Sequence, residues 1–104
     1  MAEPKYTNEA QTRGYKVLML LAGNEFNGVA PGELAKSLAT NPGNITRDLR
    51  VLQEIGLAEP LPHDSSRWRL GPRLVQIANA FKQHLTDVQH RADEVAQRYT
   101  RNPR

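Results

Sequence analysis

Two prolines constrain this chain more than any other feature. Pro31 and Pro42 each stand just ahead of a short apolar stripe, so residues 31–56 divide into two brief helices separated by a tight turn. Proline suits the first turn of a helix, where its missing N–H has no partner anyway and its fixed φ is already helical. After Pro31, the residues Leu34, Ala35 and Leu38 form one apolar stripe, which predicts a helix ending near Ala39. Asn41 is a good N-cap for the second helix, predicted over Pro42–Ile55. There Ile45, Leu49 and Leu52 repeat at the i, i+4, i+7 spacing of one buried face, and Gly56 supplies a stop.

The flanks extend the pattern. A helix is predicted from about Asn8 to Ala22, with Asn8 as cap, Glu9 in the first turn and Tyr15, Leu18, Leu21 and Ala22 as its apolar face, supported by Val17 and Leu20. Gly23-Asn24 ends it, and Asn27-Gly28 marks a turn before a short extended piece at Val29–Ala30. Leu57–Pro60 and Arg67–Leu70 read as two short strands joined by turn chemistry at Pro62–Ser66. Pro60 and Pro62 cannot donate to a ladder, so the first strand is an edge. A long helix then begins near Pro72. The predicted fold is mainly α with a small β-hairpin, a winged helix-turn-helix followed by a long C-terminal helix. Its expected parts are a disordered tip over residues 1–7, the winged unit over 8–71, and the helix over 72–100.

Composition excludes more than it selects. There are no cysteines, which removes disulfides and thiolate metal sites, and the three histidines show no ligand spacing. The longest apolar run, Val17–Ala22, is far too short to cross a bilayer, and no secretory signal opens the chain. A cytoplasmic protein without cofactor, metal or evident small-molecule effector is expected. The net charge is only +3, and between Pro31 and Arg73 six cations nearly balance five anions. Any positive surface must come from arrangement, not from total charge.

The second helix offers that arrangement. With Ile45, Leu49 and Leu52 buried, Asn44, Thr46, Arg47 and Arg50 point away. Arginine reads guanine, asparagine reads adenine, and threonine suits a phosphate or a thymine methyl. The helix start, Asn41 and Gly43, suits a phosphate. Asp48 opposes phosphate, unless it orients Arg47 or accepts from a cytosine amino group. In the second strand, alternation sends Arg67 and Arg69 to one face and Trp68 and Leu70 to the core, with Ser65 and Ser66 at the wing tip. Arg67, Arg69, Ser65 and Ser66 are therefore expected to position DNA rather than to read it. No nucleophile–base pair, paired carboxylate or glycine-rich phosphate loop supports catalysis, so no enzyme is expected.

Several of these stretches resemble the DNA-binding domain of IclR-type regulators. They are Tyr15-Lys16-Val17-Leu18, Gly32-Glu33-Leu34-Ala35, Asn44-Ile45-Thr46-Arg47-Asp48-Leu49 with Leu52, Gly56-Leu57, and Trp68-Arg69-Leu70-Gly71-Pro72-Arg73-Leu74, of which Arg69–Leu74 is the most specific. The rest is shared with other winged helices, including MarR-type ones. The resemblance covers about Gly14 to Ile77 and implies dimeric operator binding with base contact from the third helix. IclR-type regulators also carry a large C-terminal effector domain. No such domain is expected within the 104 residues, so ligand control is not carried over. Either a compact regulator of bacterial or phage origin or part of a longer one is expected.

The last helix carries its own signal. Leu74, Ala78, Phe81, Leu85, Val88, Ala92, Val95 and Tyr99 fall at alternating spacings of four and three, the heptad pattern of a coiled coil. At 1.5 Å per residue such a helix is roughly 40 Å long, too long for a body this small to cover. A homodimer through this stripe is expected, with double-stranded DNA and a second copy as partners. Ile77, His84, Arg91 and Arg98 on one flank and Val75, Lys82, Gln89 and Ala96 on the other leave its orientation open. The alternative is a winged-helix adaptor that binds another protein through the long helix.

Overall fold

The computed structural model describes residues 6–101, so most of the expected N-terminal tip, residues 1–7, lies outside the described residues. Four helices and one hairpin follow in the expected order. They are α1 (Glu9–Leu21), α2 (Pro31–Ser37), α3 (Pro42–Glu54), β1 (Ala58–Leu61), β2 (Asp64–Leu70) and α4 (Pro72–Thr100). The chain divides into two units, the first through Leu74 and the second from Val75 onward.

In the first unit, the caps are those the sequence supplies. Asn8 Oδ1 accepts from the Gln11 amide at 2.9 Å, and Asn41 Oδ1 accepts from the Asn44 amide at 2.8 Å. Each satisfies one amide that would otherwise lack a partner at a helix start. α3 ends at Gly56 in the left-handed region, φ 81°. There the Gly56 amide donates to Gln53 O at 3.0 Å and the Leu57 amide to Leu52 O at 2.8 Å, the paired bonds of a Schellman stop.

The core gathers Val17 and Leu21 of α1, Leu34 and Ala35 of α2, Ile45, Leu49 and Leu52 of α3, Val29 and Ala58, with Trp68 and Leu70 partly buried against it. The buried face of α1 keeps Val17, Leu18 and Leu21 of the expected one and loses the rest. Val17 and Leu21 are buried, while Tyr15, Leu20 and Ala22 are exposed, and Tyr15 Oη accepts from Gln11 at 3.2 Å. The run Val17–Ala22 is apolar all round, so periodicity alone did not select the face; contact with α3 did.

The α2–α3 turn differs from the expected one as well. α2 stops at Ser37, two residues early, and Ala39 adopts φ 52°. A left-handed non-glycine residue costs about 1–2 kcal/mol. The conformation lets the Thr40 amide reach Ala35 O at 3.0 Å and sends the chain into α3.

The hairpin is tighter than expected. Asp64–Ser66 belong to β2, leaving Pro62 and His63 as the turn. Ala58 pairs with Leu70, Glu59 with Arg69 and Pro60 with Trp68, with a register irregularity after Pro60. Trp68 turns its backbone groups to Val29 instead, exchanging bonds of 2.8 and 2.9 Å. Pro60 therefore sits where the edge strand has no donor to lose.

The Gly71 amide then donates to Leu57 O at 2.9 Å, and the Arg73 amide to Gly56 O at 3.2 Å. A Cβ on Gly71 would collide with the Gly56 carbonyl oxygen and lie 2.9 Å from the Ala58 amide nitrogen. The Gly-Pro pair after the wing is thus a backbone junction. Gly71→Ala should destabilise the unit by about 1–3 kcal/mol in urea unfolding, the range for overpacking. Gly32→Ala, where nothing lies within 4 Å, should be neutral or stabilise by up to about 1 kcal/mol.

Candidate nucleic-acid interface

α3 is a two-faced cylinder. Ile45 and Leu49 are fully buried, and Arg47 and Arg50 lie exposed on the opposite side. Neither arginine makes an ion pair or side-chain hydrogen bond among the described residues. Their guanidinium groups are open to an external acceptor.

The short polar side chains near the helix start are occupied locally. Asn41 caps α3, and the Asn44 amide group donates to Thr40 Oγ1 at 2.9 Å. Thr46 Oγ1 donates back to Pro42 O at 3.0 Å. Small polar residues at helix starts commonly bond nearby backbone in this way. A Cβ on Gly43 would lie 3.2 Å from Asn41 Oδ1, so the glycine also gives the cap room.

Asp48 corrects the expected picture. Its carboxylate is 9% exposed and takes two bonds from Arg13 of α1, at 2.6 Å from Nε and 3.1 Å from the second guanidinium nitrogen. Both of its oxygens are taken by Arg13, and it does not orient Arg47. The sequence held the signal, since Asp48 lies three residues after Ile45 and one before Leu49, within the buried arc. Bonding to Asp48 raises the Arg13 pKa further, against a smaller opposing effect of burial. The two-pronged geometry ties α3 to α1 at a fixed rotation.

The wing arginines share one face, as alternation requires, but that face is turned toward the protein. Arg67 donates to Asn27 O at 2.7 Å and Gly28 O at 3.1 Å, with Glu33 at 3.4 Å. Arg69 pairs across the strands with Glu59 at 2.9 Å and reaches Glu25 O at 3.5 Å. Both therefore fasten the wing to the loop before α2. The register that opposes Glu59 to Arg69 explains the second pair. At the tip Ser65 and Ser66 are exposed, and Ser66 donates to Asp64 through both its hydroxyl and its amide.

Among the described residues no cluster of three metal-ligating side chains occurs, and no helix is long and apolar enough to cross a membrane.

No protein-family model matches the chain, and no curated protein matches its sequence. Solved structures do. An IclR transcriptional regulator from Alicyclobacillus acidocaldarius superposes with a TM-score of 0.61 at 28% identity, over 69% of this chain and 28% of that one. The fold here is that of an IclR-type winged helix-turn-helix. The Agrobacterium tumefaciens repressor BlcR matches with a TM-score of 0.58, also at 28% identity, over 88% of this chain and 36% of its own. Lactococcus lactis ZitR, solved in complex with DNA, shares the fold at 21% identity and a TM-score of 0.52, over 96% of this chain and 68% of its own. The chain thus spans about a third of the length of the IclR regulator and of BlcR.

Two outcomes test this arrangement. Arg13→Ala and Asp48→Ala should each lower Tm by several degrees, and the double variant should fall by much less than their sum, a coupling that a double-mutant cycle measures. Hydrogen bonds from Ser66 hold the Asp64 carboxyl below the usual aspartate range. Because the folded pKa is depressed, the contribution is complete above the ordinary aspartate pKa and is lost as pH falls through the lowered one. An NMR titration should show that low midpoint, and Ser66→Ala should return it toward normal.

Proposed function

We propose that this chain is a sequence-specific, double-stranded DNA-binding transcriptional regulator that acts in the cytoplasm as a homodimer. The observation that carries the proposal is the pair Arg47 and Arg50, both exposed and unpaired on the outer face of α3. In a helix-turn-helix the second helix enters the major groove and its first turns meet base edges. Likeness to an IclR regulator and to a repressor at 28% identity supports the reading, and a DNA complex exists for a protein of the same fold.

Arg47 and Arg50 read base edges. Gly43 and the first amides of α3 meet a phosphate, while Asn41, Asn44 and Thr46 act chiefly by holding that helix start in shape. In the wing, Ser65 and Ser66 meet backbone or minor groove. Arg67 and Arg69 set the wing's position, and they reach DNA only by exchanging Glu33 and Glu59 for phosphate. Residues 8–71 form the DNA-binding part and residues 72–100 the dimerisation helix.

A mildly basic monomer has few phosphate contacts, and two copies double them. The exposed apolar stripe of α4 equally favours a second reading, an adaptor that offers this helix to another protein. That reading entails a monomeric free chain with negligible DNA affinity even at low salt.

Gel shifts on a selected operator decide between them. Arg47→Ala and Arg50→Ala should each weaken specific binding by about 1–3 kcal/mol and relax preference at one base pair, with non-specific binding less affected. If both variants bind every probe as the parent does, the assignment of α3 fails. Light scattering should give twice the chain mass.

A further inference from the structure

We propose that α4 pairs with the α4 of a second copy in antiparallel orientation. The proposal rests on the homodimer reading above and specifies how the two copies meet.

No residue of α4 is buried in the single chain. Phe81 is 65% exposed and Tyr99 83%, with Leu85, Val88 and Val95 near half. With the flanking Val75 and Ile77, the open apolar area is on the order of 800 Å², the share one partner brings to a specific interface. The 3.5-residue period of the stripe is that of a seam wound around another helix. A second copy offers a seam of the same length, and two-fold symmetry closes the pair.

Volume selects the orientation. A parallel pair sets every residue against its own copy: Ala78 on Ala78, Ala92 on Ala92 and Phe81 on Phe81. Two layers are then underfilled and one is crowded. An antiparallel pair at full overlap sets Ala92 against Phe81, Ala78 against Val95 and Leu85 against Val88, with Tyr99 over Leu74 at the ends. Each alanine then faces a larger residue, the condition for even packing.

The flanks raise no strong objection. Antiparallel pairing brings His84 toward Arg91 of the second copy and Lys82 toward Gln89, contacts at a solvent-facing edge where salt screens charge. A parallel pair gains nothing from its flanks either, because no Glu–Lys match links them.

The arrangement has a consequence for DNA. The two Leu74 positions, where each winged unit ends, come to lie about 37 Å apart along the coil at 1.5 Å per residue. That is close to one turn of B-DNA, the usual spacing of half-sites.

Because the chain has no cysteine, single-cysteine variants of the full chain, Gln76→Cys and His90→Cys, can carry spin labels on the outer side of the seam. Pulsed EPR should give a longer label-to-label distance at position 76 than at position 90, by about 15 Å for antiparallel helices. Equal distances in a species of twice the chain mass would overturn the orientation while leaving the homodimer intact. Two long distances that do not follow helix register would place the dimer contact elsewhere and overturn the proposal. A monomeric mass with no dipolar coupling would sink the homodimer reading itself. Circular dichroism of both labelled variants should match the parent chain, so that a folding defect is recognised.

Discussion

Everything in the winged unit depends on how α3 is buried. Ile45, Leu49 and Leu52 bring it onto α1, α2 and the root of the wing, and burial of such side chains is worth about 1.5–3 kcal/mol each. One face taken up in this way leaves the other open, and that open face carries Arg47 and Arg50. Burial alone tolerates some rotation of the cylinder. Asp48 removes that freedom, because a nearly buried carboxylate needs its partner, and Arg13 meets it through two nitrogens from a single direction. The base-reading geometry proposed for α3 is thus set from α1, on the side away from the arginines.

The C-terminal end of α3 is held as firmly as its start. Gly56 turns left-handed to close the helix, and Gly71 returns against the same peptide after the wing. Both positions favour glycine, Gly56 because its positive φ strains any residue with a Cβ and Gly71 because the neighbouring backbone leaves a Cβ no room. The stretch most specific to the IclR resemblance, Arg69-Leu70-Gly71-Pro72-Arg73-Leu74, therefore contains a structural joint. It carries the chain from the wing into α4 without disturbing the end of α3.

The helix order, both asparagine caps, the left-handed Gly56, the core placement of Trp68 and the edge character of β1 were legible in the sequence. Each follows from a property of one or two neighbouring residues: a cap, a missing donor or an alternation. The candidate site was legible only in part. Arg47 and Arg50 stand out because the buried stripe defines their direction. For Arg67 and Arg69 alternation gave the shared face, but not what that face meets. The partners of Arg67, namely Asn27, Gly28 and Glu33, lie far away in sequence with no local rule to connect them, whereas the Arg69–Glu59 pair follows from the hairpin register.

By itself, the sequence determined where helices start and stop, which residues of α3 turn inward, and that α4 carries a heptad stripe. These are short-range matters, decided by backbone conformation and side-chain periodicity. Only the tertiary structure decided which face of α1 is buried, that Ala39 is left-handed, and that Asp48 and the wing arginines already have partners within the chain. The physical reason is common to all of these. A charge or an apolar side chain takes the environment that remote segments bring to it, and that environment exists only after the chain has closed on itself.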